Sequence, residues 1–317
     1  MMANQPVRIT KREAKRQINC FGVSLILYIV YYALLHYGIL LLELKVPDFW
    51  EQYLKLPAWM DGDLLVMAAG IIGLLISVFV CFAISSRRLR LNIHDYLGRK
   101  RMKLLRSFGL ACVAASICLI AMSVLTLFSF FMRTQGQRFT FVGDYSSPLN
   151  IEKNIVYLVL YVVVLPLCDE VIFRGVIQRQ LGHYGRYFGV LGSAFLYMLA
   201  QVNPMNAIMS FFLGWFLSLV TLRYHSIRPA MGIHMFAALF IEGLNMIPGK
   251  YLWLMSILMV IVYITAAVTI TSLKQEKVQV RWGATEGKLW GILLSSWSII
   301  VCIVLFVINM VFAFVTV

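Results

Sequence analysis

Charge is what this chain has least of. Only 13% of its 317 residues are Asp, Glu, Lys or Arg while 61% are hydrophobic, a balance that excludes a water-soluble domain folded around a single core. The acidic residues are the scarcer half, 14 against 28 basic ones. Cysteine is thinly spread at Cys20, Cys81, Cys112, Cys118, Cys168 and Cys302 with no close pairs, so neither a disulfide framework nor a zinc knuckle is implied. These cysteines read as small packing residues in or beside apolar runs. No internal repeat is visible, which weakens a transporter built from repeated halves. No small-x-small cleavage site follows the first apolar run, so that run reads as an uncleaved anchor and not as a secretory signal.

What the chain has is apolar length. Crossing a hydrocarbon layer of about 30 Å takes roughly 20 apolar residues, and nine runs qualify as candidate spans: 20–42, 64–85, 108–132, 155–180, 187–202, 205–222, 229–246, 252–273 and 289–317. The fifth to seventh are short and interrupted by polar residues. With the N-terminus cytoplasmic, the alternation places 22 basic residues inside and six outside, the inner set including the cluster from Arg87 to Arg106. That bias agrees with the positive-inside rule. It directs the net charge of +14 toward anionic membrane lipids, and no nucleic-acid partner is needed to explain it. Gly70 and Gly73 in the second run permit close helix contact, His36 reads as a packed histidine, and the 43–63 loop has the aromatic, amphipathic composition of an interfacial segment.

Two adjacent carboxylates break the pattern. Residues 166–175 read Pro-Leu-Cys-Asp-Glu-Val-Ile-Phe-Arg-Gly, placing Asp169, Glu170 and Arg174 inside an otherwise apolar run. Each charge at bilayer depth costs about 3 kcal/mol on the more lenient scales, which makes the group a functional-site candidate. Glu170 and Arg174 are four apart and share a helix face, so they can pair. Asp169 has Phe173 at the corresponding position and gains no such partner from its own helix. The competing explanation is a structural ion pair that only locks helices together.

Further polar residues follow in order. Gly-Ser-Ala-Phe-Leu-Tyr-Met-Leu-Ala-Gln occupies 192–201, and Ser-Ile-Arg-Pro-Ala-Met-Gly-Ile-His occupies 226–234. Together with the first motif these stretches resemble the CPBP family of intramembrane proteases, the type II CAAX prenyl endopeptidases and bacteriocin-processing proteins. The first motif of that family, Glu-Glu-x-x-x-Arg in its Pro-Leu context, is matched except that Asp169 stands for the first glutamate. The second, Phe-x-x-x-His, corresponds to Tyr197 through Gln201, so its histidine is missing. The third, His-x-x-x-Asn, retains His234 but has Ala238 in the amide position. The resemblance implies a carboxylate that activates water, histidines that orient it or bind a metal, and an amide that supports the oxyanion. Asp169 keeps the carboxylate with a shorter reach, whereas Gln201 neither takes up a proton near neutral pH nor replaces imidazole as a metal ligand. Glu242 and Asn245 lie about 12 and 16 Å further along the helix from His234, too far to replace Ala238. The span boundaries also offset Asp169 from Gln201 by about 12 Å in depth.

The expectation is therefore an all-α, polytopic helical membrane protein of eight or nine spans. Residues 1–154 would form a cytoplasmic segment and three anchoring spans, 155–250 the protease-like core, and 251–317 two further spans. The resemblance implies an endopeptidase acting on a membrane-associated or lipid-modified peptide. Its candidate catalytic residues are Asp169, Glu170, Arg174 and His234, and a divalent metal such as zinc, if present, would use His234. The alternative is a non-catalytic relative that binds a peptide or a membrane partner in the same place. Bacterial plasma membrane is the expected location.

Overall fold

The computed structural model describes residues 11–45, 71–73, 75–76, 79–80, 83, 102–134, 158–201, 204–247, 249–274 and 286–315. The side chain of His36, the 43–63 loop apart from its helical start, and most of the second expected span and of the basic cluster lie outside the described residues. Among the described residues there is no strand. The helices are α1 (Lys11–Lys45), α2 (Leu104–Thr134), a composite α3, α4 (Arg186–Leu199), α5 (Pro204–Tyr224), α6 (Arg228–Asn245), α7 (Leu252–Lys274), α8 (Glu286–Leu294) and α9 (Trp297–Val315). Helix α3 runs without a break through π-helical Val159–Val164, α-helical Leu165–Asp169, π-helical Glu170–Ile177 and α-helical Gln178–Gly182.

Among the described residues, three helical segments are by themselves long and apolar enough to cross a membrane: Leu104–Phe128, Asn206–Tyr224 and Leu252–Leu273. A fourth follows if α8 and α9 are counted as one broken span. The chain is a multi-pass helical membrane protein. The other expected spans fall on helices that are shorter, more polar, interrupted or partly outside the described residues. The fifth run, 187–202, is the 14-residue α4, about 21 Å long and too short to cross alone.

The last expected span, 289–317, is not one helix. It bends by 71° between α8 and α9. Both serines at the break turn their hydroxyls onto the Ile292 carbonyl, Ser295 at 3.2 Å and Ser296 at 2.8 Å, competing with the backbone for that acceptor. The first turn of α9 then finds its partner on α1. Asn19 Oδ1 accepts from the Ser298 N–H at 3.3 Å and from its hydroxyl at 2.9 Å, satisfying a donor that a helix start leaves open. Gly22 makes this approach possible, since a Cβ there would fall 2.1 Å from Ser298 Oγ.

Two apolar cores result. One joins α1, α3, α4, α8 and α9 around Phe21, Phe173, Phe188, Leu196 and Ile299. The other joins α2, α5, α6 and α7 around Ala114, Leu217, Ile233 and Val262. Helices α4 and α5 pack along each other, as do α2 and α6. Helix α3, touching α4, α5 and α6, therefore lies along the seam between the two cores, and the charged motif sits on that seam.

Candidate active site

The shape of α3 starts with Pro166. Proline has no N–H for the carbonyl one turn back, and the helix ahead of it is widened, with the Leu165 N–H bonding to the Leu160 carbonyl five residues earlier. A single α-helical turn holds Pro166, Cys168 and Asp169, and the chain widens again from Glu170. Such π-helical stretches are rare and concentrate at functional sites. Here the widened turn is tied to its neighbours. Ser193 of α4 donates to the Phe173 carbonyl at 2.7 Å, and Gln178 Nε2 donates to the Ser218 carbonyl of α5 at 2.8 Å.

The ion pair expected from the spacing is present. Arg174 Nη1 lies 3.1 Å from Glu170 Oε1, and both side chains are fully buried. The contact is one of charge and not an aligned hydrogen bond, because Nε, Nη1 and Nη2 of Arg174 all lack a hydrogen-bond partner among the described residues. The guanidinium is instead carried on an aromatic face, its Cζ 4.8 Å from the centre of the Tyr197 ring, a geometry in which the ring quadrupole attracts the cation. Gly214 of α5 leaves the room, since a Cβ there would sit 3.0 Å from Tyr197 Cδ1 and 3.2 Å from Arg174 Nη2.

His234 reaches the same carboxylate from α6. Its Nδ1 is 3.0 Å from Glu170 Oε1 across 64 residues of sequence, so one oxygen of Glu170 faces both the imidazole and the guanidinium while Oε2 has no partner among the described residues. Asp169, which feels the Arg174 charge but receives no hydrogen bond from its own helix, is met from α4: the Tyr197 hydroxyl donates to Asp169 Oδ2 at 2.9 Å. The Tyr197 ring also packs on Phe173, with centroids 4.7 Å apart, and lies edge-on to His234 at 6.4 Å. Access is uneven. The His234 side chain keeps 10% of its surface open and Glu170 none.

Asp169, Glu170, Arg174 and His234 are thus brought together, whereas the described bond of Gln201 is a local one. Its Nε2, just past the end of α4, donates to the carbonyl of Tyr197 four residues earlier at 3.5 Å. Ala238 lies one turn beyond His234, half-buried, with no polar side chain to offer. Glu242 is buried further along α6, and the side chain of Asn245 is outside the described residues. The residue that sequence reasoning passed over is Tyr197. In the sequence it stood only as the first position of the second motif, although a tyrosine where that motif has phenylalanine adds one hydroxyl to an apolar face.

The group does not fit zinc. A catalytic zinc site takes three protein ligands at about 2.0–2.2 Å, and among the described residues no three His, Cys, Asp or Glu side chains are grouped to hold a metal ion. Glu170 Oε1 is shared by Arg174 and His234, Asp169 Oδ2 takes the Tyr197 hydroxyl, and the second imidazole is replaced by Gln201.

A buried carboxylate–imidazole–guanidinium cluster between the helices of a membrane bundle defines a class, that of polytopic membrane proteins with an intramembrane ionisable site. The sequence of that segment points the same way: residues 151–240 match the family model described as Rce1-like, type II CAAX prenyl endopeptidase, in agreement with the resemblance to the CPBP family that the motifs carry. No curated protein and no solved structure matches the chain.

Proposed function

We propose that this protein is an intramembrane endopeptidase that hydrolyses a peptide bond in a membrane-associated, lipid-modified peptide. The observation that carries the reading is the Glu170–His234 contact at 3.0 Å, in which the carboxylate is sealed and the imidazole is not. An ionised carboxylate only accepts hydrogen bonds, so the Nδ1 facing Glu170 carries the proton and Nε2 is left as the basic nitrogen. That is the orienting logic of a base held by a third group. Water is activated at His234 Nε2. Its oxygen attacks the scissile carbonyl, its proton moves to Nε2, the carbon–nitrogen bond breaks and the proton passes to the leaving amine. Asp169, the neighbouring carboxylate, contributes a negative charge that favours the protonated imidazole formed in that step. Protonated His234 and Arg174 supply the positive charge that favours the oxyanion in place of the missing amide at Ala238. The substrate reaches this depth from the lipid, which suits a peptide carrying a lipid anchor, and anionic lipids meet the basic cytoplasmic face.

The test is hydrolysis of a prenylated CAAX peptide by the purified full chain in detergent and in liposomes. The parent cleaves, His234→Ala lowers the rate by about 10²- to 10⁴-fold as expected for loss of a positioned base, and a chelator leaves the parent rate unchanged. A parent that binds the peptide without cleaving it would refute the enzymatic reading.

A further inference from the structure

We propose that Tyr197 is the positioning residue of this site, orienting Asp169 through its hydroxyl and, through its ring, the Arg174 cation that pairs with Glu170. The inference rests on the hydrolytic reading above, but its physical content stands apart from it. Asp169 receives no hydrogen bond from α3, where Arg174 acts on it through charge alone, and its side chain is a methylene shorter than the glutamate of the family motif, so its carboxylate depends on a donor from another helix. Tyr197 supplies that donor at 2.9 Å. The ring that carries the hydroxyl has little freedom, because Phe173 lies 4.7 Å away on one side and the backbone of Gly214 approaches where any Cβ would be 3.0 Å from Cδ1. The same ring lies 4.8 Å from the centre of the guanidinium, whose nitrogens have no hydrogen-bond acceptor among the described residues. One side chain therefore touches both the Asp169 carboxylate and the counter-charge of Glu170.

Tyr197 lies within the last turn of α4, whereas Gln201 lies two residues past its end. The amide of Gln201 bonds back to the Tyr197 carbonyl at 3.5 Å. The hydroxyl of Tyr197 meets Asp169, and the described bond of Gln201 is to backbone.

The hydroxyl and the ring separate cleanly in Tyr197→Phe. In the purified full chain, infrared difference spectroscopy assigns the Asp169 carboxyl band as the one removed by Asp169→Asn, and Tyr197→Phe should shift that band. A band left in place overturns the proposal. On the prenylated peptide, Tyr197→Phe should lower kcat by about 10- to 100-fold, the range set by one hydrogen bond to a charged group, with KM unchanged. Equal kcat, or a change confined to KM, overturns it as well. Should Tyr197→Phe not fold, 3,5-difluorotyrosine at position 197 keeps the ring and strengthens the donor, and must move the same band. A parent chain that cleaves nothing refutes the hydrolytic reading alone, because the infrared result still decides whether Tyr197 holds Asp169.

Discussion

Helices α3 and α7 both come from runs that read as membrane spans, and they do opposite things with their side chains. In α3 the residues from Ile172 to Ile177 are all buried, Arg174 and Phe173 being among the largest fully buried side chains of the protein. In α7 only 11% of the apolar window is buried, and Ile257, Val260, Ile261, Ile264 and Val268 are 49–63% exposed. Helix α2, of similar apolar character to α7, is 56% buried over its window. Small residues on α2, Ala111, Cys112, Ala114 and Ala115, let neighbours approach closely, as small residues do at helix contacts in membranes. Apolarity says that a segment lies in the bilayer, whereas small residues and ionisable groups say that it faces protein.

The largest expected effect breaks α3. Arg174→Ala leaves Glu170 buried without its counter-charge and should cost about 3–5 kcal/mol, read as a large fall in melting temperature in detergent. Combining it with Glu170→Gln should cost less than either change alone, since the pair is removed and no lone charge remains. A single Arg174→Ala variant as stable as the parent would remove the ion pair from this account.

A smaller effect is expected where α2 meets α7. A Cβ at Gly109 would lie 2.4 Å from Thr269 Oγ1, so Gly109→Ala overfills the contact and should destabilise by about 1–3 kcal/mol. Thr269→Ala in the same chain removes the clashing atoms and should recover part of that loss, a coupling that a double-mutant cycle measures directly. Additive costs would show that the two helices do not meet there.

The smallest effect sharpens the other side of the comparison. Ile264→Leu on the open face of α7 changes neither apolar character nor any buried contact, and should stay within about 0.5 kcal/mol of the parent. A large loss there would mean that this face is covered by protein and not by lipid.

Much of the site could be read from the chain because it rests on local spacing. Glu170 and Arg174 pair across one turn of one helix, and their burial follows from the apolar run that contains them. The approach of His234 across 64 residues was legible only through the resemblance of its motif. The bend at Ser295 and Ser296 was not legible, since the run 289–317 is apolar throughout, and hydropathy carries no information about which hydroxyl takes a backbone carbonyl. The widening of α3 on both sides of Asp169 was hidden for a similar reason: Pro166 announces a perturbed helix but not the bonds that replace the missing one.

By itself the sequence determined that this is a helical membrane protein with a charged motif in its interior, because the hydrophobic effect and the cost of burying charge act on residue type and local spacing alone. Only the tertiary structure decided that Tyr197 and not Gln201 meets Asp169, that one oxygen of Glu170 serves both Arg174 and His234, and that α7 leaves most of its apolar window exposed. Those outcomes depend on the depth and rotation at which separate helices pack, and packing distances of a few ångströms between residues far apart in the chain are set by the whole set of contacts at once.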